Sequence, residues 1–137
     1  MMRFFKIRVL FFFLIVCFLG FSQSSQKHKY KNLSPKDFYI FMSAYKNSVL
    51  IDVSTEKEYQ ELRIPNSCLA SNSTQLFVIT DTLDFDQAIF VYCEYGDRSK
   101  QACKLLIKKG FKNVNNLKGG LIEWMKLGYK IDSTKVK

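Results

Sequence analysis

Hydrophobic and polar residues follow two different patterns along the chain. Short runs rich in apolar residues, at 49–53 and 88–92, are typical of buried strands, and a last strand is predicted at 114–117. Between them, apolar residues recur every three or four positions, as in the segment 99–109, and this spacing indicates amphipathic helices. Strands that alternate with helices predict an α/β domain with a mostly parallel sheet.

Capping signals mark the starts of two further helices. Ser34 followed by Pro35 predicts a helix whose apolar face carries Phe38, Phe41, Met42 and Tyr45. Ser54 is expected to cap a second helix over residues 55–62. The remaining predicted elements are a short strand at 68–70, a helix at 74–79, and a last helix that bears Trp124 and ends at Gly128.

The N-terminal segment has the composition of a secretory signal peptide. Three basic residues among the first eight positions precede an apolar run from Val9 to Phe21, which is shorter than the ~20 residues of a membrane-spanning helix. Gly20 and Ser22 predict cleavage before Gln23. The mature protein is therefore expected to be exported to the periplasm, without stable membrane association; an uncleaved membrane anchor is the alternative.

The predicted organisation has four parts along the chain. A signal peptide at 1–22 precedes a polar linker at 23–33, a single domain occupies 34–132, and a tail covers 133–137. Removing the signal peptide takes the 21 basic residues to 18 against 12 acidic ones, so the net charge falls from +9 to +6. Lysines between 100 and 112 follow helical spacing, which is typical of a solvated face, and we expect no nucleic-acid partner.

Cysteine usage points to a free thiol rather than to a metal site. Cys17 lies in the predicted signal peptide, so the mature chain keeps Cys68, Cys93 and Cys103. An odd number of cysteines in an exported protein suggests one reactive thiol. No pair has C-x-x-C spacing and His28 is the only histidine, so no metal and no cofactor are expected. Cys68 and Cys103 are interpreted as packing positions.

Cys93 follows the strongest predicted strand and precedes a helix. Open α/β sheets bind their ligands at such a strand end. Gly96 and its polar neighbours let the segment 93–98 curl, so that backbone N–H groups point at one centre. A nest of this kind beside a helix N-terminus favours an anion and the thiolate form of a cysteine. One loop thus supplies a nucleophile and an anion cradle, and needs no histidine base.

Four stretches of the chain resemble signatures of the rhodanese-like domain family, in order and at family spacing. They cover about residues 34–132, nearly the whole predicted mature chain. The stretches are Leu50-Ile51-Asp52-Val53 with Glu58-Tyr59; Ile64-Pro65; Val91 to Ser99; and Gly110 to Val114 with Leu117 to Gly120, Trp124 and Gly128-Tyr129. The resemblance implies a five-stranded, mostly parallel sheet flanked by helices, in a single-domain sulfurtransferase.

The same resemblance implies roles for the residues of the loop. Cys93 accepts a sulfane sulfur as a persulfide, the loop amides bind it, and Arg98 helps to hold an anionic donor. The donor is thiosulfate or another sulfane or persulfide compound, and the acceptor is a thiol or another thiophilic group, with a protein acceptor as one option. The residues implied to line the pocket are Glu94, Tyr95, Gly96, Asp97, Arg98 and Ser99.

Loop length separates sulfur transfer from phosphate chemistry. Cys93 and Arg98 are spaced as Cys-x4-Arg, whereas the related phosphatases carry the wider Cys-x5-Arg loop. The short loop fits a sulfur atom and favours sulfur transfer. The alternative is a non-catalytic rhodanese module for partner binding or redox sensing, and the intact Cys93 favours catalysis.

The sequence also departs from the family pattern near the site. Asp52-Val53-Ser54 stands where Asp-Val-Arg is common, and Asp52 is expected to orient the turn after its strand. Arg63 stands where the family often has histidine, and is expected to take its place. Glu94 puts a negative charge where some thiosulfate-using members carry a basic or neutral residue. This charge weakens the case for thiosulfate as the physiological donor.

Overall fold

The structure, a computed structural model, describes residues 28–133. The predicted signal peptide at 1–22, the first part of the predicted linker and residues 134–137 lie outside the described residues. None of the helices within 28–133 combines the length and the apolar character needed to cross a membrane.

Five parallel strands form one sheet in the order β1-β5-β4-β2-β3. Every pairing is parallel, which confirms the predicted fold class. The strands are β1 (Lys31–Leu33), β2 (Val49–Asp52), β3 (Cys68–Leu69), β4 (Ile89–Tyr92) and β5 (Val114–Leu117). Because parallel neighbours need crossover connections, helices follow the strands and cover the sheet. The helices are α1 (Pro35–Ala44), α2 (Glu56–Glu61), α3 (Ser73–Thr80), α4 (Asp97–Lys109) and α5 (Gly120–Lys126).

The side chains of β4 divide the core into two clusters. Ile89 and Val91 pack in one cluster, with residues of α3 and α4, whereas Phe90 and Tyr92 pack in the other, with residues of α1 and α5. This division follows from the alternation of side chains along a strand. All four residues are 0% exposed, so β4 is buried on both faces. A strand that is buried on both faces has a continuous apolar sequence, and for this reason β4 could be predicted from the sequence.

The first strand corrects the predicted start of the domain. Residues 31–33, which were assigned to a polar linker, form β1 and pair with β5. The amide of Asn116 donates to the side-chain oxygen of Asn32 at 2.7 Å, which ties this edge strand to its neighbour. A three-residue edge strand with two polar residues has no hydrophobic alternation to reveal it.

Two details of the helices also differ from the prediction. Thr55, not Ser54, caps α2: its hydroxyl accepts the N–H of Glu58, whose carboxylate accepts the Thr55 N–H at 2.6 Å in a capping box. On α1, Phe38 is fully buried, but Phe41 and Tyr45 are 39% and 45% exposed. The predicted apolar face of α1 is therefore only partly covered by the core.

Candidate active site

Cys93 lies directly after β4, and its residue is only 1% exposed. The backbone N–H of Gly96 donates to Cys93 Sγ at 3.1 Å, so the loop turns back on the sulfur as predicted. The hydroxyl of Ser99 lies 3.5 Å from the same sulfur and bonds to the Gly96 carbonyl at 3.0 Å. Gly96 and Ser99 thus belong to the immediate surroundings of the Cys93 sulfur.

The helix after the loop begins earlier than predicted. α4 starts at Asp97, so Asp97 and Arg98 occupy its first turn rather than the loop. The reason is Gly96, whose φ of 95° turns the chain sharply into the helix. Gly96, the N-cap residue, has no side chain that could cap this N-terminus. Its first N–H groups are therefore available to an anion, and the positive end of the helix dipole lies beside the sulfur.

The N-terminus of α5 supports the loop through two backbone hydrogen bonds. Leu121 N–H donates to the carbonyl of Cys93 at 2.9 Å, and Ile122 N–H donates to the carbonyl of Glu94 at 3.1 Å. In a trans peptide the N–H points away from the C=O. The amides that follow these two carbonyls, those of Glu94 and Tyr95, consequently point away from α5.

This support depends on a close approach at Gly120. A Cβ atom there would lie 2.4 Å from the carbonyl oxygens of both Cys93 and Glu94. From the sequence, Gly119-Gly120 was interpreted only as a turn before the last helix. A glycine pair just ahead of that helix was the available signal, but its contact with the Cys93 loop arises from tertiary packing.

Arg98 forms a bidentate ion pair with Glu58 of α2. Its two terminal nitrogens donate to the two carboxylate oxygens at 2.7 and 2.9 Å. These bonds hold the pKa of Glu58 well below its usual range and raise the pKa of Arg98 further. The structure pairs the Arg98 guanidinium with a carboxylate, and its role in holding an anionic donor stays a prediction. Glu58 was missed as a site residue because its partner lies 40 positions away.

The other three residues predicted to line the pocket differ in exposure. Glu94 is partly exposed, and burial together with the neighbouring Glu58 carboxylate raises the pKa of its own carboxyl. Tyr95 is 62% exposed. Asp97 is exposed and pairs with Lys100 at 3.2 Å. Glu94 therefore contributes to the charge of the site, while Tyr95 and Asp97 are exposed to solvent.

Asp52 makes the turn-orienting contact that the sequence suggested. Its residue is 0% exposed, and one carboxylate oxygen accepts the Ser54 N–H at 2.8 Å. The other oxygen has no hydrogen-bond partner within residues 28–133, and burial raises the pKa of this carboxyl. Asp52 therefore shapes the chain after β2, the strand next to β4.

Arg63 contacts the C-terminal part of the domain. Its side chain pairs with Asp132 at 2.7 Å and donates to the carbonyl of Tyr59 at 3.2 Å. Backbone hydrogen bonds between Arg63 and Asp132 form an antiparallel bridge. These contacts join α2 to the segment around Asp132, and the supporting role in the site that the sequence suggested for Arg63 stays a prediction.

The two other cysteines of the domain differ from each other. Cys103 is 0% exposed in the core, as predicted, and burial raises the pKa of its thiol. Cys68 is exposed, so its interpretation as a packing residue was wrong. The reason is that β3 has only two residues and lies at the edge of the sheet, where one side has no neighbouring strand.

Known proteins with similar sequences include sulfurtransferases. The profile of the rhodanese-like domain family matches residues 26–127. An adenylyltransferase and sulfurtransferase from Debaryomyces hansenii is 39% identical over 105 residues, which are 69% of this chain and 22% of that protein. The chain thus spans only 22% of this relative's length. A sulfurtransferase from Allochromatium vinosum is 32% identical over 83 residues, 61% of this chain and 77% of the relative.

Solved structures show the same fold. A rhodanese-like domain from Anabaena superposes with a TM-score of 0.68 at 20% identity, over 78% of this chain and 82% of that one. A thiosulfate sulfurtransferase from Pseudomonas aeruginosa gives a TM-score of 0.65 at 24% identity, over 75% of this chain and 20% of that one. The profile match and the shared parallel sheet agree, and the chain belongs to the rhodanese-like domain family.

Proposed function

We propose that this protein is a sulfurtransferase that carries a sulfane sulfur as a persulfide on Cys93. The observation that carries the proposal is the position of Sγ, which accepts the Gly96 N–H at 3.1 Å beside the uncapped N-terminus of α4. A persulfide anion on this sulfur would meet preorganised N–H donors. Relatives that are named sulfurtransferases support the same activity.

Two displacements at sulfur complete the proposed cycle. The Cys93 thiolate attacks the outer sulfur of the donor, the donor's S–S bond breaks, and the leaving group departs with the electron pair; thiosulfate would release sulfite. The acceptor thiolate then attacks the outer sulfur of the persulfide, and Cys93 leaves as the thiolate. The two steps balance without an added oxidant, reductant or cofactor, because the sulfur atom only changes its carrier.

Intact-mass spectrometry tests this proposal directly. The purified protein is incubated with thiosulfate and with inorganic polysulfide, and excess donor is removed. We expect a species heavier by one sulfur atom, located on Cys93 by peptide mapping, which disappears when a thiol acceptor is added. If the added sulfur is absent, or lies only on the exposed Cys68, the proposed intermediate is wrong.

We also propose that the mature protein is exported, on the basis of the basic and apolar pattern of residues 1–22. The expected N-terminus of the exported species lies at or near Gln23. Edman sequencing of the protein from the periplasmic fraction checks this expectation, and an N-terminus at Met1 would contradict it.

A further inference from the structure

A small cleft of 80 Å³ adjoins the loop that carries Cys93. Two of its lining residues, Leu121 and Ile122, donate their backbone N–H groups to the carbonyls of Cys93 and Glu94. Leu62 and Met125 extend the aliphatic part of the lining. The cleft is therefore built on the same backbone contacts that support the Cys93 loop, and Glu94 of that loop lines it.

Carboxylates dominate the charge of this cleft. Glu58, Glu61 and Glu94 all line the cleft, and Arg98 forms its bidentate ion pair with Glu58. Within residues 28–133, neither Glu61 nor Glu94 forms an ion pair. The chain as a whole has 21 basic and 12 acidic residues. The acidic character of the cleft is thus a local feature of a basic protein and does not follow from the overall charge.

This charge opposes small anionic substrates and favours cationic ones. A dianion such as thiosulfate would meet the negative charge of Glu61 and Glu94 near Cys93, where Arg98 forms its ion pair with Glu58. A lysine or arginine side chain has an aliphatic stem and a charged head. It therefore matches a cleft with aliphatic walls and carboxylates at its edge.

A second feature indicates a partner larger than a small thiol. Tyr95 is 62% exposed, two residues after the nucleophile. Exposed tyrosines are enriched among the residues that dominate protein–protein interfaces. Tyr95 directly follows Glu94, which lines the cleft, and its exposed ring offers a polypeptide a contact that a small thiol does not need.

We propose that the substrate of the Cys93 site is a cysteine of a protein or peptide with a basic residue beside it, and that Glu61 and Glu94 select it. This inference rests on the proposed function. The basic side chain occupies the cleft while the substrate thiolate attacks the outer sulfur of the Cys93 persulfide. The persulfide S–S bond breaks, a new S–S bond forms on the substrate, and Cys93 leaves as the thiolate.

Three synthetic peptides test the proposal. They share one cysteine and differ only in its flanking residues, which are lysine, alanine or glutamate. The full-length protein, loaded with sulfur from polysulfide, is mixed with each peptide at low ionic strength, and intact mass follows the loss of sulfur from Cys93. We expect the lysine peptide to react about tenfold faster than the glutamate peptide. The ratio should shrink as salt is added, because ~0.1 M salt screens charges beyond about 10 Å.

Matched variants test whether the carboxylates of the cleft cause this preference. Glu61→Gln and Glu94→Gln should each reduce the ratio of lysine to glutamate rates about threefold, and should speed the loading of Cys93 by thiosulfate. Glu56→Gln is the control, because Glu56 lies exposed on the same helix α2 but does not line the cleft. This control should keep the wild-type ratio.

The outcomes separate the substrate class from the function itself. Equal transfer to all three peptides would overturn the proposed selectivity while leaving sulfur transfer in place. A ratio that Glu56→Gln lowers as much as Glu61→Gln would overturn the assignment to the cleft. If the loaded sulfur passes to a small thiol such as free cysteine but to none of the peptides, this inference fails and the proposed function stands; if it passes to neither, both fail.

Discussion

Replacing Cys93 by serine is expected to abolish sulfur transfer and leave the fold intact. Serine differs from cysteine by one atom, and its hydroxyl oxygen can still accept the Gly96 N–H that now bonds to Sγ. A hydroxyl, however, cannot carry a sulfane sulfur in place of a thiolate. We expect the turnover with thiosulfate or polysulfide to fall by at least about 10³-fold, as for other enzymes that lose their nucleophile.

Variants of the other two cysteines serve as controls for this experiment. Cys68→Ser alters an exposed side chain at the sheet edge and should keep full activity. Cys103→Ala removes a fully buried sulfur from the core, so it should lower the melting temperature modestly and keep the activity. Turnover and thermal melts are measured on all three variants. Appreciable turnover in Cys93→Ser, or its loss in Cys68→Ser, would show that the nucleophile is elsewhere.

The position of Cys93 at a strand end could be predicted because local sequence determines it. Residues 89–92 form a short apolar run that is typical of a strand buried on both faces, and Cys93 comes directly after it. Gly96 supplies the sharp turn three residues later. A strand, a cysteine, a glycine and a helix follow one another within a few residues. Few backbone conformations are then possible for the loop, and the structure agrees with the predicted one.

The charge environment of the site could not be predicted in the same way. Arg98 looked like a free cation beside an anion cradle, but its partner Glu58 lies 40 positions earlier, on a different helix. Whether a charge is available to a substrate depends on such tertiary pairs, which no local pattern encodes. The edge strand β1 escaped prediction for a related reason, since its pairing with β5 is a long-range contact.

Gly120 offers the strongest test of how the active-site loop is supported. Gly120→Ala would put a Cβ atom 2.4 Å from two backbone oxygens, those of Cys93 and Glu94, and neither can move without moving the loop. The φ of 65° at this position adds strain of about 1 kcal/mol for any residue other than glycine. Together with about 1–3 kcal/mol for the steric overlap, we expect a loss of about 3 kcal/mol in unfolding free energy.

Gly128→Ala separates the steric overlap from the backbone strain. Gly128 has a similar φ of 72°, but a Cβ atom there would meet nothing within 4 Å. This control should therefore lose only about 1 kcal/mol and keep its activity. Gly120→Ala should melt at least about 10 °C below the wild type, and its folded fraction should transfer sulfur poorly, because a shift of about 1 Å at the reacting centre can cost 10²-fold in rate. Thermal melts and turnover are measured side by side on both variants. Equal losses of stability would mean that backbone strain alone explains the requirement for glycine, and that the contact between α5 and the Cys93 loop contributes nothing to it.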